Sequence, residues 1–212
     1  GPMLVGRNAL DIEDFHHLME LSPYWRAGAI ENNALAGIDI ALWDIKGKVA
    51  GLPVHQLLGG QTRTSVPVYG HADGRDHAEV IDGVHEFMEN GYKYIRAQIA
   101  IEGADTYGAH GDPDPAVAAA AQARSVPWTP NPYTLAVPRM FEALRDAVGF
   151  DIQLLHDVHE RVSPIQAIRL AKDLEPYRLF FLEDAIAPED LNWYREMRDA
   201  TETFPSVALA EL

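Results

Sequence analysis

Apolar positions follow two regimes along the chain. From residue 11 to about residue 50 they recur every three or four residues, the spacing of one helix face. Ile12, Phe15, Leu18 and Met19 follow a start signal at Asp11; Leu35, Ile38, Leu42, Ile45 and Val49 form a second run that Gly51 and Pro53 close. No strand-like run precedes them. Residues 1–62 therefore read as the helical part of a separate layer, with Gly59-Gly60 as the boundary.

Beyond that boundary, short apolar runs alternate with helical spacings, the pattern of a parallel sheet or barrel. Strands are expected over residues 66–69 and 94–99, and in QLLHD, RLFFLED and SVALAE, which end at Asp157, Glu183 and Glu211. Asp76 is placed to cap a helix that turns Val80, Ile81, Val84, Phe87 and Met88 inward, and Ser163-Pro164 to open another. After the second strand the next helix is expected from about Pro138. Residues 100–137 then form a long insert of the kind that serves as a lid, with a short helix at AVAAAA, residues 116–121. Trp128 and Tyr133 either cover the site beneath the lid or pack within their own loop.

The expected fold class is α/β: a (β/α)₈ TIM-type barrel over residues 63–212 with only about the first five strands present. A complete barrel takes about 250 residues, so 212 suggests a partial chain. Asp157, Glu183 and Glu211 stand 26 and 28 residues apart, about one strand plus one crossover helix. Side chains at the C-terminal ends of barrel strands converge on one mouth. Three carboxylates there repel unless a cation sits between them, and oxygen-only ligation suits a hard divalent ion, Mg²⁺ before Mn²⁺ or Ca²⁺. The plainer alternative is that each acid caps the helix that follows it. On the repulsion argument, Asp157→Asn is expected to cost little stability.

Charge narrows the partners. A formal charge of −15 attracts neither nucleic acid nor an anionic membrane, so neither is an expected partner. Hydrophobic content of 47% and charged content of 23% are ordinary for a soluble globular chain, and no signal-peptide pattern is present. The absence of cysteine excludes disulfides and thiolate metal sites and is compatible with a cytoplasmic location.

Within LLHDVHE, Asp157 and His159 are two residues apart and would point the same way on an extended chain, with His156 opposite. His159 is an acid/base candidate, or else a structural residue or a further ligand. Arg96, at the end of the second strand, is suited to clamp a carboxylate or phosphate. Tyr107 follows in the insert; a guanidinium beside it would favour its phenolate and make the pair a base, although a lid tyrosine can equally just pack. His71 ends the first expected strand and could line the pocket.

Taken together, NNALAGIDIALWDIKGKVAGLPVHQLLGG, VYGHADGRD, YIRAQ with a following TYG, LLHDVHERVSP, FFLEDAIAPED and ALAEL resemble the enolase superfamily, nearest its mannonate dehydratase group. The resemblance implies an α+β capping domain on a modified (β/α)₈ barrel and a homo-oligomer. It implies Asp157, Glu183 and Glu211 as Mg²⁺ ligands, His159 as the acid that protonates the leaving hydroxyl, and Arg96 with Tyr107 as the base. The implied reaction is dehydration of an aldonic acid, D-mannonate or D-gluconate, to a 2-keto-3-deoxy acid through an enediolate. A catalytically weak or non-catalytic acid-sugar-binding or regulatory member of the same superfamily is the alternative.

Overall fold

The computed structural model describes residues 3–22, 24, 28–101, 128–203 and 205–206. The chain divides into two compact units, Gly1–Val66 and Pro67–Leu212. No helix among the described residues is long and apolar enough to cross a membrane.

The first unit is helical: α1 (Ile12–Leu21), α2 (Ala29–Ala50) and the short α3 (Val54–Leu57). Ile12 and Phe15 of α1 bury against Leu42 of α2, with Ile38 and Trp43 packed around them. The 22-residue α2 is about twice as long as the 10-residue α1, so α1 covers only part of it. Ile45 and Val49 continue the apolar repeat but stay 40% and 67% exposed. Gly51 ends α2 at φ +66°, where its N–H reaches the Gly47 and Lys48 carbonyls.

The second unit alternates strands and helices. In chain order these are β1 (Gly70–Gly74), α4 (His77–Glu89), β2 (Tyr94–Ile99), α5 (Pro130–Val148), β3 (Gln153–Asp157), α6 (Pro164–Leu174), β4 (Leu182–Glu183), α7 (Leu191–Ala200) and β5 (Pro205–Ser206). They form one five-stranded sheet in the order β1-β2-β3-β4-β5, and every pairing is parallel. Ile95, Ala97, Leu154 and Leu182 point to the face covered by helices and bury with Val80, Val84, Met140, Phe141 and Leu170.

Three expectations are corrected. The first strand is not residues 66–69 but Gly70–Gly74, while Val66 and Val68 remain exposed. Its helix-facing positions must be small, because a Cβ on Gly70 would collide with the Phe87 ring and one on Gly74 would come within 2.6 Å of the Val80 nitrogen. A strand reading GHADG carries no β-propensity signal. Second, the helix after β2 begins at Pro130, not Pro138. Pro130 occupies the first turn, where a missing N–H costs nothing, and burial of Tyr133 and Val137 outweighs the bond lost at the internal Pro138. Third, the run ending at Glu183 contributes a strand of only two residues. The AVAAAA segment and most of the insert lie outside the described residues.

The sheet is curled toward its other face. Side chains stand perpendicular to a sheet, so three strand intervals, about 14 Å, would separate side chains of β1 and β4 on a flat one. Yet the Tyr69 hydroxyl, just before β1, lies 3.3 Å from the Glu183 carboxylate of β4.

Candidate active site

Alternation along the strands places Tyr69, His71 and Asp73, then Tyr94, Arg96 and Gln98, then Leu155 and Asp157, and finally Glu183, on the face opposite the helices. That face has two levels. Val68, Tyr69, Tyr94, Leu155, Phe180 and Phe181 line an apolar cavity of about 260 Å³ at the N-terminal side of the strands. Toward the C-terminal ends the lining becomes polar: register pairs His71 with Arg96, Asp73 with Gln98 and Asp157 with Glu183.

Arg96 is the hub of this polar level. It is 3% exposed, and one amino group donates to Asp157 Oδ2 at 3.0 Å. The other lies 3.1 Å from His71 Nδ1. A guanidinium can only donate, so His71 Nδ1 accepts and carries no proton. Burial, and then the Arg96 charge, hold the His71 pKa below its ordinary value, which agrees with a neutral ring. Gln98 donates to the Asp157 carbonyl at 3.2 Å.

The two strand-end acids are both harder to ionise than usual. Burial raises the Asp157 pKa against the opposing pull of the charges on His159 and Arg96, and the Asp184 charge adds to the rise. Glu183 is raised by burial and next by the Asp157 charge. Among the described residues, Asp157 Oδ1 is buried without a hydrogen-bond partner. Two adjacent carboxylates and one unpartnered buried oxygen make a donor set suited to a hard divalent cation. Among the described residues no three His, Cys, Asp or Glu side chains gather in a cluster able to hold a metal. Glu211, the third acid of the expected trio, and Tyr107 lie outside the described residues.

His159 reaches this neighbourhood by a different route from strand alternation. β3 ends at Asp157, and His159 and Glu160 both have φ +56°, a conformation that non-glycine residues seldom adopt. Asp184, directly after Glu183, has φ +42°. Val158 N–H donates to the Glu183 carbonyl at 2.9 Å and Glu160 N–H to the Asp184 carbonyl at 2.8 Å. The turns beyond β3 and β4 are thereby tied to each other, which holds the strained backbone in place.

His156 lies on the helix side, as alternation predicts, and is fully buried. Its Nδ1 donates to the Ala97 carbonyl at 2.8 Å, and Nε2 accepts from the Tyr133 hydroxyl at 2.8 Å. Tyr133 is thus a core residue, not a cover, and Trp128 donates to the Arg161 carbonyl at 3.1 Å. The sequence reading gave no part to Tyr69, Asp73 or Gln98. Counting by two from Arg96 finds Gln98; Tyr69 and Asp73 needed the true position of β1.

Residues 1–59 match the N-terminal domain family of mandelate racemase and muconate lactonizing enzyme, and residues 116–211 match the enolase C-terminal domain-like family. A D-galactonate dehydratase family member of Paenibacillus sp. (strain JDR-2) is 50% identical over 205 residues, which cover 95% of this chain and 49% of that protein. A D-mannonate dehydratase of Rhizorhabdus wittichii is 48% identical over 206 residues, covering 95% and 51%. The crystal structure of an enolase from Pantoea ananatis with bound D-gluconate and Mg superposes with a TM-score of 0.80 at 43% identity, covering 98% of this chain and 52% of that one. The chain spans about half the length of the curated relatives it matches. It belongs to the enolase superfamily, in the family of the D-galactonate and D-mannonate dehydratases.

Proposed function

We propose that this chain belongs to a Mg²⁺-dependent sugar-acid dehydratase, a hydro-lyase that converts D-mannonate or D-gluconate to its 2-keto-3-deoxy acid. The observation that carries the reading is the pair Asp157 and Glu183 side by side at neighbouring strand ends, both raised in pKa, with the buried Arg96 guanidinium against them. The dehydratase relatives and the Mg and D-gluconate bound to the Pantoea ananatis enolase supply the reaction class and the ligands. The curled parallel sheet favours a (β/α)₈ barrel for the second unit, and the first unit corresponds to the helical part of a capping domain.

In this reading Asp157, Glu183 and Glu211 hold the cation, which supplies positive charge as negative charge builds on the substrate carboxylate. Arg96 and Tyr107 take the proton from the carbon beside that carboxylate. His159 gives a proton to the departing β-hydroxyl, which leaves as water. The enol so formed becomes the 2-keto-3-deoxy acid. Beneath the reacting groups the lining is apolar, made by Leu155, Phe180 and Phe181.

The test is to incubate the protein at its full natural length with Mg²⁺ and a panel of aldonic acids, assaying 2-keto-3-deoxy acids. Turnover of D-mannonate or D-gluconate that is abolished by His159→Asn while Mg²⁺ binding survives is the expected result. Mg²⁺ binding with no product from any aldonic acid would replace this reading with a non-catalytic one.

A further inference from the structure

Each of the two strand-end carboxylates has its own hydrogen-bond donor, and only one of those donors has a role above. Arg96 holds Asp157. Glu183 is held by Tyr69, whose hydroxyl lies 3.3 Å from Oε1 and 3.3 Å from Oε2, across 114 residues of sequence. We propose that Tyr69 is a positioning residue that fixes the Glu183 carboxylate in the orientation in which it binds a divalent cation, an inference that rests on the Mg²⁺ reading.

The need for such a residue follows from where Glu183 stands. It sits on a strand of only two residues, and its side chain has three rotatable bonds. A carboxylate so placed samples several rotamers unless a donor selects one. Tyr69 is stiffer, with two side-chain torsions and a ring held on two sides. It stacks on His71 at 5.2 Å and meets Phe181 edge-on at 6.3 Å. His71 is itself bonded to Arg96, so the donors of both carboxylates are linked through one imidazole. Equal distances to the two oxygens mean that one hydroxyl proton is shared between them, which leaves outward lone pairs on each for a cation. An ionised carboxylate can only accept, so the Tyr69 hydroxyl is the donor in this contact. Hydrogen bonds to ligating carboxylates are worth about ten- to a hundredfold in metal affinity.

The test compares the wild-type protein at full natural length with Tyr69→Phe, titrating Mg²⁺ by calorimetry and measuring melting without divalent cation. The expected result is a Kd for Mg²⁺ raised about tenfold, with the cation-free Tm within about 2 °C of wild type. An unchanged Kd overturns the inference, as does weaker binding accompanied by a matching fall in cation-free Tm, because that is what a purely structural tyrosine would give. Should Tyr69→Phe fail to fold, 3-fluorotyrosine placed at position 69 replaces it: a ¹⁹F resonance that moves with the calorimetric Kd supports the role, and one that does not move overturns it. If the wild type binds no Mg²⁺, the cation reading falls and this inference with it; if the wild type binds and Tyr69→Phe binds equally, only the inference falls.

Discussion

At the scale of single residues, the two acids that look alike in the sequence have opposite relations to their surroundings. Asp157 is 7% exposed and paired with a buried guanidinium, so it neutralises a charge that water cannot reach. Glu183 has a neutral donor and a like-charged neighbour. Removing one partner of a buried pair leaves the other charge stranded and costs several kcal/mol. Asp157→Asn should therefore destabilise the cation-free protein by about 3 kcal/mol, while Glu183→Gln should leave it unchanged or more stable. Urea unfolding with chelator present measures both, and equal midpoints for Asp157→Asn and wild type would contradict the ion-pair argument. Repulsion among strand-end acids alone suggests a harmless Asp157→Asn; the Arg96 contact reverses that expectation. The sequence places Asp157 at a strand end and leads one to expect Arg96 at another; Arg96 is instead the third of six residues in β2, and only the structure shows its guanidinium reaching up to the carboxylate that ends β3.

At the scale of elements, His156 joins β2, β3 and α5 through the Ala97 carbonyl and the Tyr133 hydroxyl. Burial lowers its pKa to about 4. Between about pH 6.5 and pH 4 the unfolded chain takes up a proton that the folded one refuses, so stability falls as pH falls through that window. The loss is on the order of 3 kcal/mol when complete. Asp157 and Glu183, whose folded pKa values are raised, act in the opposite sense: their ionisation penalty disappears as they protonate in acid. Urea midpoints at pH 7 and pH 4.5 should fall more steeply in wild type than in His156→Gln, which carries no titrating ring. Equal slopes would mean that His156 is not the acid-sensitive joint. Helix α5 also shows where element boundaries were not legible. Pro138 looks like a helix opener, and only the burial of Tyr133 and Val137 against the sheet shows that the helix begins at Pro130.

At the scale of the whole molecule, the proposed cation and the fold would stabilise one another. Carboxylates that repel in the metal-free state would be drawn together by the ion, and a ligand bound only by the folded form raises stability by about 2.7 kcal/mol at a hundred times its Kd. Melting of the full-length protein should rise accordingly when Mg²⁺ replaces chelator, and an identical Tm in both would remove the cation from the proposed site. The sequence by itself determined the order of strands and helices, the α/β class and the placing of Asp157 and Glu183 at strand ends, because periodicity and strand-end acids are local features of the chain; Arg96, expected at the end of β2, stands in its middle. It also carried the family, since ordered motifs survive without coordinates. Only the tertiary structure decided that β1 is GHADG, that Asp157 is ion-paired and that Tyr69 reaches Glu183. Those facts depend on register and on the curl of the sheet, which arise when β1 to β4 pair, and no stretch of sequence contains them alone.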